Sequence, residues 1–324
     1  MSETPSHKKV THSKTTTMDL KEQLVKRDAQ WFVKRDSHLQ QFVLVMLRSA
    51  WGSGASEYFP GPQPVSIERK HFRHFKRNYV VCEKSDGVRH VLVAFMFQDT
   101  KMCIMMNRAL DITIVPLSLP RDAYKGTILD GELVGNLFLV YDAVYSCGTS
   151  VVHMDLIARL QSVGPIVAGI LKLKTNPISV RMKTFFNMKD LEEFYTKYLP
   201  TLEYKTDGLV FTPVDEPVRS GTHETLFKWK PRDQNTVDFL VKKKDTRWAI
   251  YVQERGTMYF QGDLFEPQDW ITDGCIAECQ YIHSRGWKPV GLRTDKVHPN
   301  NRRTFYNTLT NIKEDIKWEE FLKV

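Results

Sequence analysis

Long apolar runs are missing from this 324-residue chain. Phe42 to Leu47 is an unbroken apolar stretch, but it falls far short of the about 20 residues a membrane-spanning helix needs. The start of the chain is polar through Thr17 and rich in Ser, Thr, Lys and His. That excludes the apolar core of a signal peptide there and predicts a disordered tail over 1–17. Cysteine is scarce and odd in number: Cys82, Cys103, Cys147, Cys275 and Cys279. Such a set fits reduced intracellular thiols and not a disulfide framework. Cys275 and Cys279 could share a helix face, yet no further Cys/His pair at metal spacing accompanies them, which argues against a zinc site. There is no internal repeat, so a solenoid is excluded as well.

What is present describes a globular protein long enough for two domains, with 42% hydrophobic and 26% charged residues. Lys and Arg number 46 against 38 Asp and Glu, a formal net charge of +8. The excess favours a polyanionic partner such as nucleic acid or nucleotides. Part of it sits in Arg69 to Arg77 and in Lys242-Lys243-Lys244, each readable as a solvated face or as an RNA contact.

Along the chain, Leu39, Phe42, Val43, Met46 and Leu47 recur at helix spacing, so Met18 to Arg48 reads as helical. Trp51 to Pro64 reads as a Gly/Pro-rich loop. Strands are expected at 79–84, 88–97, 101–106, 127–134, 137–145, 207–213 and 225–230. A helix over 190–199 is suggested by Asp190 with Glu193 three residues on. Pro231 to Asn235 is polar and turn-prone, a hinge. Short strands at 236–242, 247–253, 257–261 and 287–293, with an amphipathic stretch at 275–283 between, suit a small oligonucleotide-binding (OB) barrel. Trp318 to Leu322 reads as a terminal helix.

The chemistry begins at Glu83-Lys84-Ser85-Asp86-Gly87-Val88-Arg89. An apolar run closes on Lys84, Asp86-Gly87 is a turn signal, and a second strand follows, which places Lys84 at the mouth of a hairpin. An amine attacks phosphorus only when neutral, and neighbouring cations favour that form. Further motifs follow in order: Leu129-Asp130-Gly131-Glu132, Val140-Tyr141-Asp142, Asp207-Gly208-Leu209-Val210-Phe211, Phe227-Lys228-Trp229-Lys230-Pro231 and Leu292-Arg293-Thr294-Asp295-Lys296. Lys228 and Lys230, two apart, share a strand face. Singly each motif is a common turn or edge strand; six in this order are hard to ascribe to chance.

The series resembles the covalent nucleotidyltransferase superfamily, which holds mRNA capping guanylyltransferases and ATP-dependent DNA and RNA ligases. Residues 59–66, Phe-Pro-Gly-x-Gln-Pro-Val-Ser, look like the segment before the nucleophile in the capping branch. Arg293-x-Asp295-Lys296-x-x-Pro299-Asn300 looks like that branch's final motif. The resemblance covers about 59 to 300. It departs at Ser85, where Thr is usual, and at Asn107 before Arg108, where Asp is usual.

The resemblance implies an α+β fold: a nucleotidyltransferase domain of antiparallel sheets and helices over 18–233, an OB-fold domain over 234–300 and a C-terminal helical segment over 301–324. It implies that Lys84 attacks the α-phosphorus of GTP and that the resulting lysyl-GMP is passed to a 5′-diphosphate RNA, giving a GpppN cap. Lys228 and Lys230 would meet the α-phosphate; Arg293, Asp295 and Lys296 would act at the outer phosphates and pyrophosphate. Arg89 and Arg108 would hold the sugar and nearby phosphate. Tyr141 and Val210 would sandwich the guanine, with Lys183 at its O6 edge. Asp207 and Glu132 are the carboxylates for Mg²⁺ or Mn²⁺, Glu132 alternatively contacting ribose or Lys84. The length leaves no room beside these motifs for an RNA triphosphatase or cap methyltransferase, so those are expected from partners, and RNA polymerase is a further one. Location is expected to be nuclear for a cellular protein, or the viral factory or host cell for a viral one. The alternatives are an ATP-dependent polynucleotide ligase and a catalytically silent RNA-binding subunit.

Overall fold

Both faces of the strand Val88–Phe97 are buried, which is why it reads as a near-continuous apolar run. Val91, Val93, Phe95 and Phe97 pack to one side with Leu39, Val43 and Leu47 of the helix His38–Trp51. Leu92 and Ala94 pack to the other, with Val163, Ile166 and Val167 of the helix Leu156–Ala168. The first helix starts where the Ser37 side chain accepts from the Gln40 N–H and stops at Gly52, φ +62°. This computed structural model describes residues 19–52, 59–294 and 296–324. The expected tail over 1–17 and Asp295 lie outside the described residues.

Val88–Phe97 is central in the largest of three sheets. Its spatial order is Leu24–Arg27, Gln30–Val33, Ile112–Ile114, Thr100–Asn107, Val88–Phe97, Thr127–Val134, Leu137–Ser146 and Thr149–Ser150, with Ser179–Met182 pairing parallel to Leu137–Ser146. A second sheet runs Phe186–Asn187, Tyr79–Ser85, Thr206–Pro213, Gly221–Trp229 and Pro62–Ser66. Its core face carries Tyr79, Val81, Leu209, Phe211, Phe227 and Trp229.

The third sheet runs Thr257–Asp263, Arg247–Glu254, Thr236–Lys244, Ile276–Ile282 and Gly286–Leu292. A parallel bridge between Leu264 and Trp287 joins its two ends. Three strands in a meander, a fourth beside the first and a parallel closure give the OB-type Greek-key barrel. The helix Arg302–Glu314 covers it through Phe305 and Ile312. The chain then turns at Asp315 and sends Ile316 and Phe321 back into the core of the second sheet. Residues 301–324 are thus divided between the two bodies.

Several expectations are corrected. Tyr79–Ser85 and Val88–Phe97 do not form a hairpin; they belong to different sheets, and Asp86-Gly87 carries the chain across the seam. The helix expected from Met18 begins only at His38, because Leu24–Arg27 and Gln30–Val33 pair first as a hairpin turning at Asp28, φ +52°. Pro62 to Pro64, the end of the expected loop, open the strand Pro62–Ser66, which pairs parallel to Gly221–Trp229. Residues 188–201 are a succession of 3₁₀, α and π turns, and Asp190 makes no capping hydrogen bond from its side chain. The amphipathic 275–283 stretch is the strand Ile276–Ile282, whose alternating Ala277 and Cys279 enter the barrel core.

Candidate active site

On the second sheet the side chains opposite the core face the seam with the first. Lys84, Val210 and Lys228 share that face, with Gly208 paired to Lys84 and Val210 paired to both Cys82 and Lys228. Lys230 lies one residue past the end of Gly221–Trp229. The register slips between Thr206 and Gly208, so Asp207 is an extra residue in the ladder, and its side chain is aimed at the lysines. Asp207 Oδ1 accepts from Lys84 Nζ at 2.7 Å, and Oδ2 lies 2.6 Å from Lys230 Nζ. Gly208 makes the close approach possible: a Cβ there would sit 1.9 Å from the Trp229 carbonyl oxygen.

Lys228 is the third cation of the group and has no ion pair among the described residues. Burial, then the charges of Lys84, Lys230 and Arg108, push its amine down to about 8, against the pull of Asp207. A polyanion arriving here would relieve that cost.

The opposite wall comes from the first sheet. Glu132 pairs across the ladder with Arg89. Burial raises the Glu132 carboxyl, while Lys84, Lys183, Arg108 and Arg89 oppose the rise. Tyr141 donates from its hydroxyl to Asp130 Oδ1 at 2.8 Å, and burial holds its phenol well above the usual range. Asp130 also receives the buried Arg89 guanidinium in a bidentate pair, at 3.0 Å and 2.5 Å. Arg89 gives its remaining Nη1 to the Pro62 carbonyl and lies over the Phe59 ring, 4.8 Å from its centroid. Gly61 leaves room for it, since a Cβ there would be 2.3 Å from Arg89 Nη2. The Phe59–Pro64 segment is therefore a clamp on Arg89, and the structure places that arginine behind Tyr141. Arg108 is exposed and donates to Gln63 Oε1 at 3.1 Å.

Lys183 is buried. Its Nζ donates to the Glu83 carbonyl oxygen at 2.7 Å, lies 3.3 Å from Glu83 Oε1 and stands 5.9 Å from the Tyr141 ring centroid. An ammonium has three donors, so one remains for a ligand beside that ring. In the barrel, Arg293 donates to both carboxylate oxygens of Asp238, at 3.0 and 2.9 Å, and Lys296 donates to the same group.

Reading by motif overlooked Asp130, Asp238 and Glu83. Asp130 shared a strand face with Glu132, two residues on, which was signal enough. Glu83 was hidden because a carboxylate inside a strand core looks like a packing error. For Asp238 no local signal exists; its partners lie about 55 residues away.

Asp207 and Glu132 are hard oxygen donors, and among the described residues no group of three or more His, Cys, Asp or Glu is gathered to cage an ion. Mg²⁺ is usually held by one or two carboxylates together with substrate phosphates, so carboxylates of this kind suit an ion arriving with a nucleotide, which would have to take an Asp207 oxygen from Lys84 or Lys230.

A lysine-ringed carboxylate at the seam of two sheets, faced by a buried aromatic and followed by an OB barrel, defines a covalent nucleotidyltransferase. Within that class the chain belongs to the mRNA capping enzyme family: the model of its catalytic domain matches residues 20–232, and that of its C-terminal domain matches 218–322. The chain is 27% identical to mRNA-capping enzyme subunit alpha of Schizosaccharomyces pombe over 82% of this chain and 79% of that protein. The Saccharomyces cerevisiae subunit alpha is 31% identical over 82% and 78%. Among solved structures, a mycobacterial DNA ligase D complexed with ATP and MES overlays at a TM-score of 0.42 with 13% identity, covering 68% of this chain and 90% of that one. Family membership makes the chain an enzyme, an mRNA guanylyltransferase.

Proposed function

We propose that Lys84 carries GMP from GTP to the 5′-diphosphate end of RNA, with the seam between the two sheets as the nucleotide site. The observation that supports this most is the convergence of Lys84 and Lys230 on the single carboxylate of Asp207, with Lys228 beside them. In the first step the Nζ–Pα bond forms as the bond from Pα to the β-bridging oxygen breaks, and pyrophosphate leaves with the electron pair. The ammonium gives up two protons: one goes to Asp207 Oδ1, already in hydrogen-bond contact, before attack, and the second leaves with pyrophosphate as the P–N bond forms. Lys228 and Lys230 offset the charge that builds on the α-phosphate. In the second step a β-phosphate oxygen of the RNA attacks the same phosphorus, the P–N bond breaks, and Lys84 takes up one proton as it leaves and a second from Asp207 or water.

Guanine would lie between Tyr141 and Val210, with the free donor of Lys183 toward O6. Asp207 and Glu132 would hold Mg²⁺ or Mn²⁺ with the nucleotide, and the ion would offset phosphate charge there. Arg293 and Lys296 would reach the outer phosphates on closure of the barrel, exchanging Asp238 for the triphosphate. An RNA triphosphatase and a cap methyltransferase on other polypeptides would supply the diphosphate end and finish the cap.

Incubation of the protein with α-labelled GTP or ATP and a divalent ion tests the reading. Label from GTP, stable to alkali and lost in acid or hydroxylamine, and chased by diphosphate RNA, is expected. Label from ATP alone would replace this reading with a ligase.

A further inference from the structure

The barrel carries a second feature that GTP chemistry does not use. Along Thr236–Lys244, Val237, Phe239 and Val241 enter the core, so Asp238, Leu240, Lys242 and Lys244 lie on the outer face. Leu240 is in register with Tyr251, and Tyr251 with Phe260, forming a row across three strands. Phe260 is 57% exposed and meets Tyr251 edge-on, 5.7 Å between centroids. Lys244 Nζ stands over both rings, 5.6 Å from Tyr251 and 5.8 Å from Phe260. Lys243 lies 5.7 Å from the Trp248 ring centroid, but both are on the opposite, core side of their strands.

A solvated lysine face is the simpler account, and it fits Arg247, paired with Asp263 at 3.2 Å, and Lys242, 4.0 Å from Asp273. It does not fit Lys244, which makes no ion pair among the described residues and rests on the Tyr251 and Phe260 rings instead. Exposed Phe260 and half-buried Tyr251 on strands two and three of the barrel, with Lys244 of strand one over both, match what a single-stranded nucleic acid requires: π-faces for bases and charge for the backbone. An acidic protein would find the charge but would have little use for an exposed ring such as Phe260 beside it.

On the same strand face, two residues before Leu240, Asp238 holds Arg293 and Lys296. The outer side of Thr236–Lys244 therefore runs from the cations assigned to the triphosphate, past Leu240 beside the aromatic pair, to Lys244. We propose that this outer face binds the RNA substrate beyond the first two nucleotides behind its 5′-diphosphate, stacking bases on Phe260 and Tyr251 and pairing a phosphate with Lys244. The proposal rests on the guanylyltransferase reading for the identity of the RNA.

The test compares GMP transfer to a 5′-diphosphate RNA of about ten nucleotides with transfer to a 5′-diphosphate dinucleotide, in wild type, Phe260→Ala/Lys244→Ala and Phe260→Trp. The double variant should raise KM for the longer RNA about tenfold with kcat kept. It should leave the dinucleotide little changed, and Phe260→Trp should retain wild-type KM. Fluorescence anisotropy with the same longer RNA should show the same loss and should weaken steeply with salt. Unchanged KM and affinity, equal losses for both RNAs, or a variant that keeps RNA but loses an acidic peptide would overturn the proposal. If wild type forms no enzyme–GMP, the guanylyltransferase reading falls, while the anisotropy comparison still decides whether this face takes single-stranded RNA.

Discussion

At the scale of single residues, Lys228 shows the conflict between stability and function most plainly. A buried amine pushed down to about 8 binds fewer protons folded than unfolded between pH 8 and about 10.4. Stability from this group is therefore fully present only above the unfolded value and is lost as pH falls through about 8. Lys228→Met should raise Tm at pH 7 by about 2–4 °C for each 1 kcal/mol recovered, and the gain over wild type should vanish above pH 10. The same variant should lose most enzyme–GMP formation. Thermal scans across that pH range check the first half, and a Tm difference independent of pH would refute it. Legibility at this scale was high where charge met a motif. Lys84, Asp207 and Lys230, which the structure brings together, were all named from sequence. It was low where the partner was remote, as for Lys183: an isolated lysine at a strand end reads as solvent-exposed, and only the fold supplies Glu83 beneath it.

Among elements, the seam between the two sheets matters most, and it could not be read locally. A turn signal between two apolar runs describes a hairpin and a sheet-to-sheet crossing equally well; what decides is which strands are elsewhere available to pair. Tyr79–Ser85 finds Thr206–Pro213, more than 120 residues on, and Val88–Phe97 finds Thr100–Asn107 and Thr127–Val134. Most strands were placed within a few residues because their alternation is strong. The pieces missed, such as Ser179–Met182 and Pro62–Ser66, are short strands paired in parallel, whose pattern carries little signal. The wall bearing Tyr141 is fixed by Asp130, whose side chain, like that of Arg89, is nearly inaccessible. Asp130→Ala leaves that guanidinium buried without its partner and should cost about 3–5 kcal/mol of stability. Chemical denaturation measures it, and a cost below about 1 kcal/mol would mean the pair behaves as a surface bridge.

For the whole molecule, two strands of chain join the barrel to the catalytic body: the polar segment Pro231–Asn235 and the return at Asp315. Arg232 Nη1 and Asp315 Oδ2 lie 3.7 Å apart across them. A cleft of about 330 Å³ lies between Gln63–Ile67 and Lys228–Lys230 on one side and Arg303, Thr304 and Asn307 of the barrel helix on the other. Closure about such a double hinge would complete the site for GTP and reopening would admit RNA. Arg293→Ala should then slow enzyme–GMP formation about a hundredfold and leave transfer from preformed enzyme–GMP to RNA much less affected. Equal losses in both half-reactions would count against closure. The third sheet was legible from the short strands beyond the polar segment. The return of Phe321 into the first body was not, since a terminal amphipathic turn carries no address.

The decisive bond is the one between Lys84 and GMP. After reaction with GTP and a divalent ion, peptide mapping of the labelled protein by mass spectrometry should find GMP on the peptide containing Lys84, and Lys84→Ala should take up no label while keeping the wild-type fold. GMP on Lys228 or Lys230, or full labelling of Lys84→Ala, would contradict it.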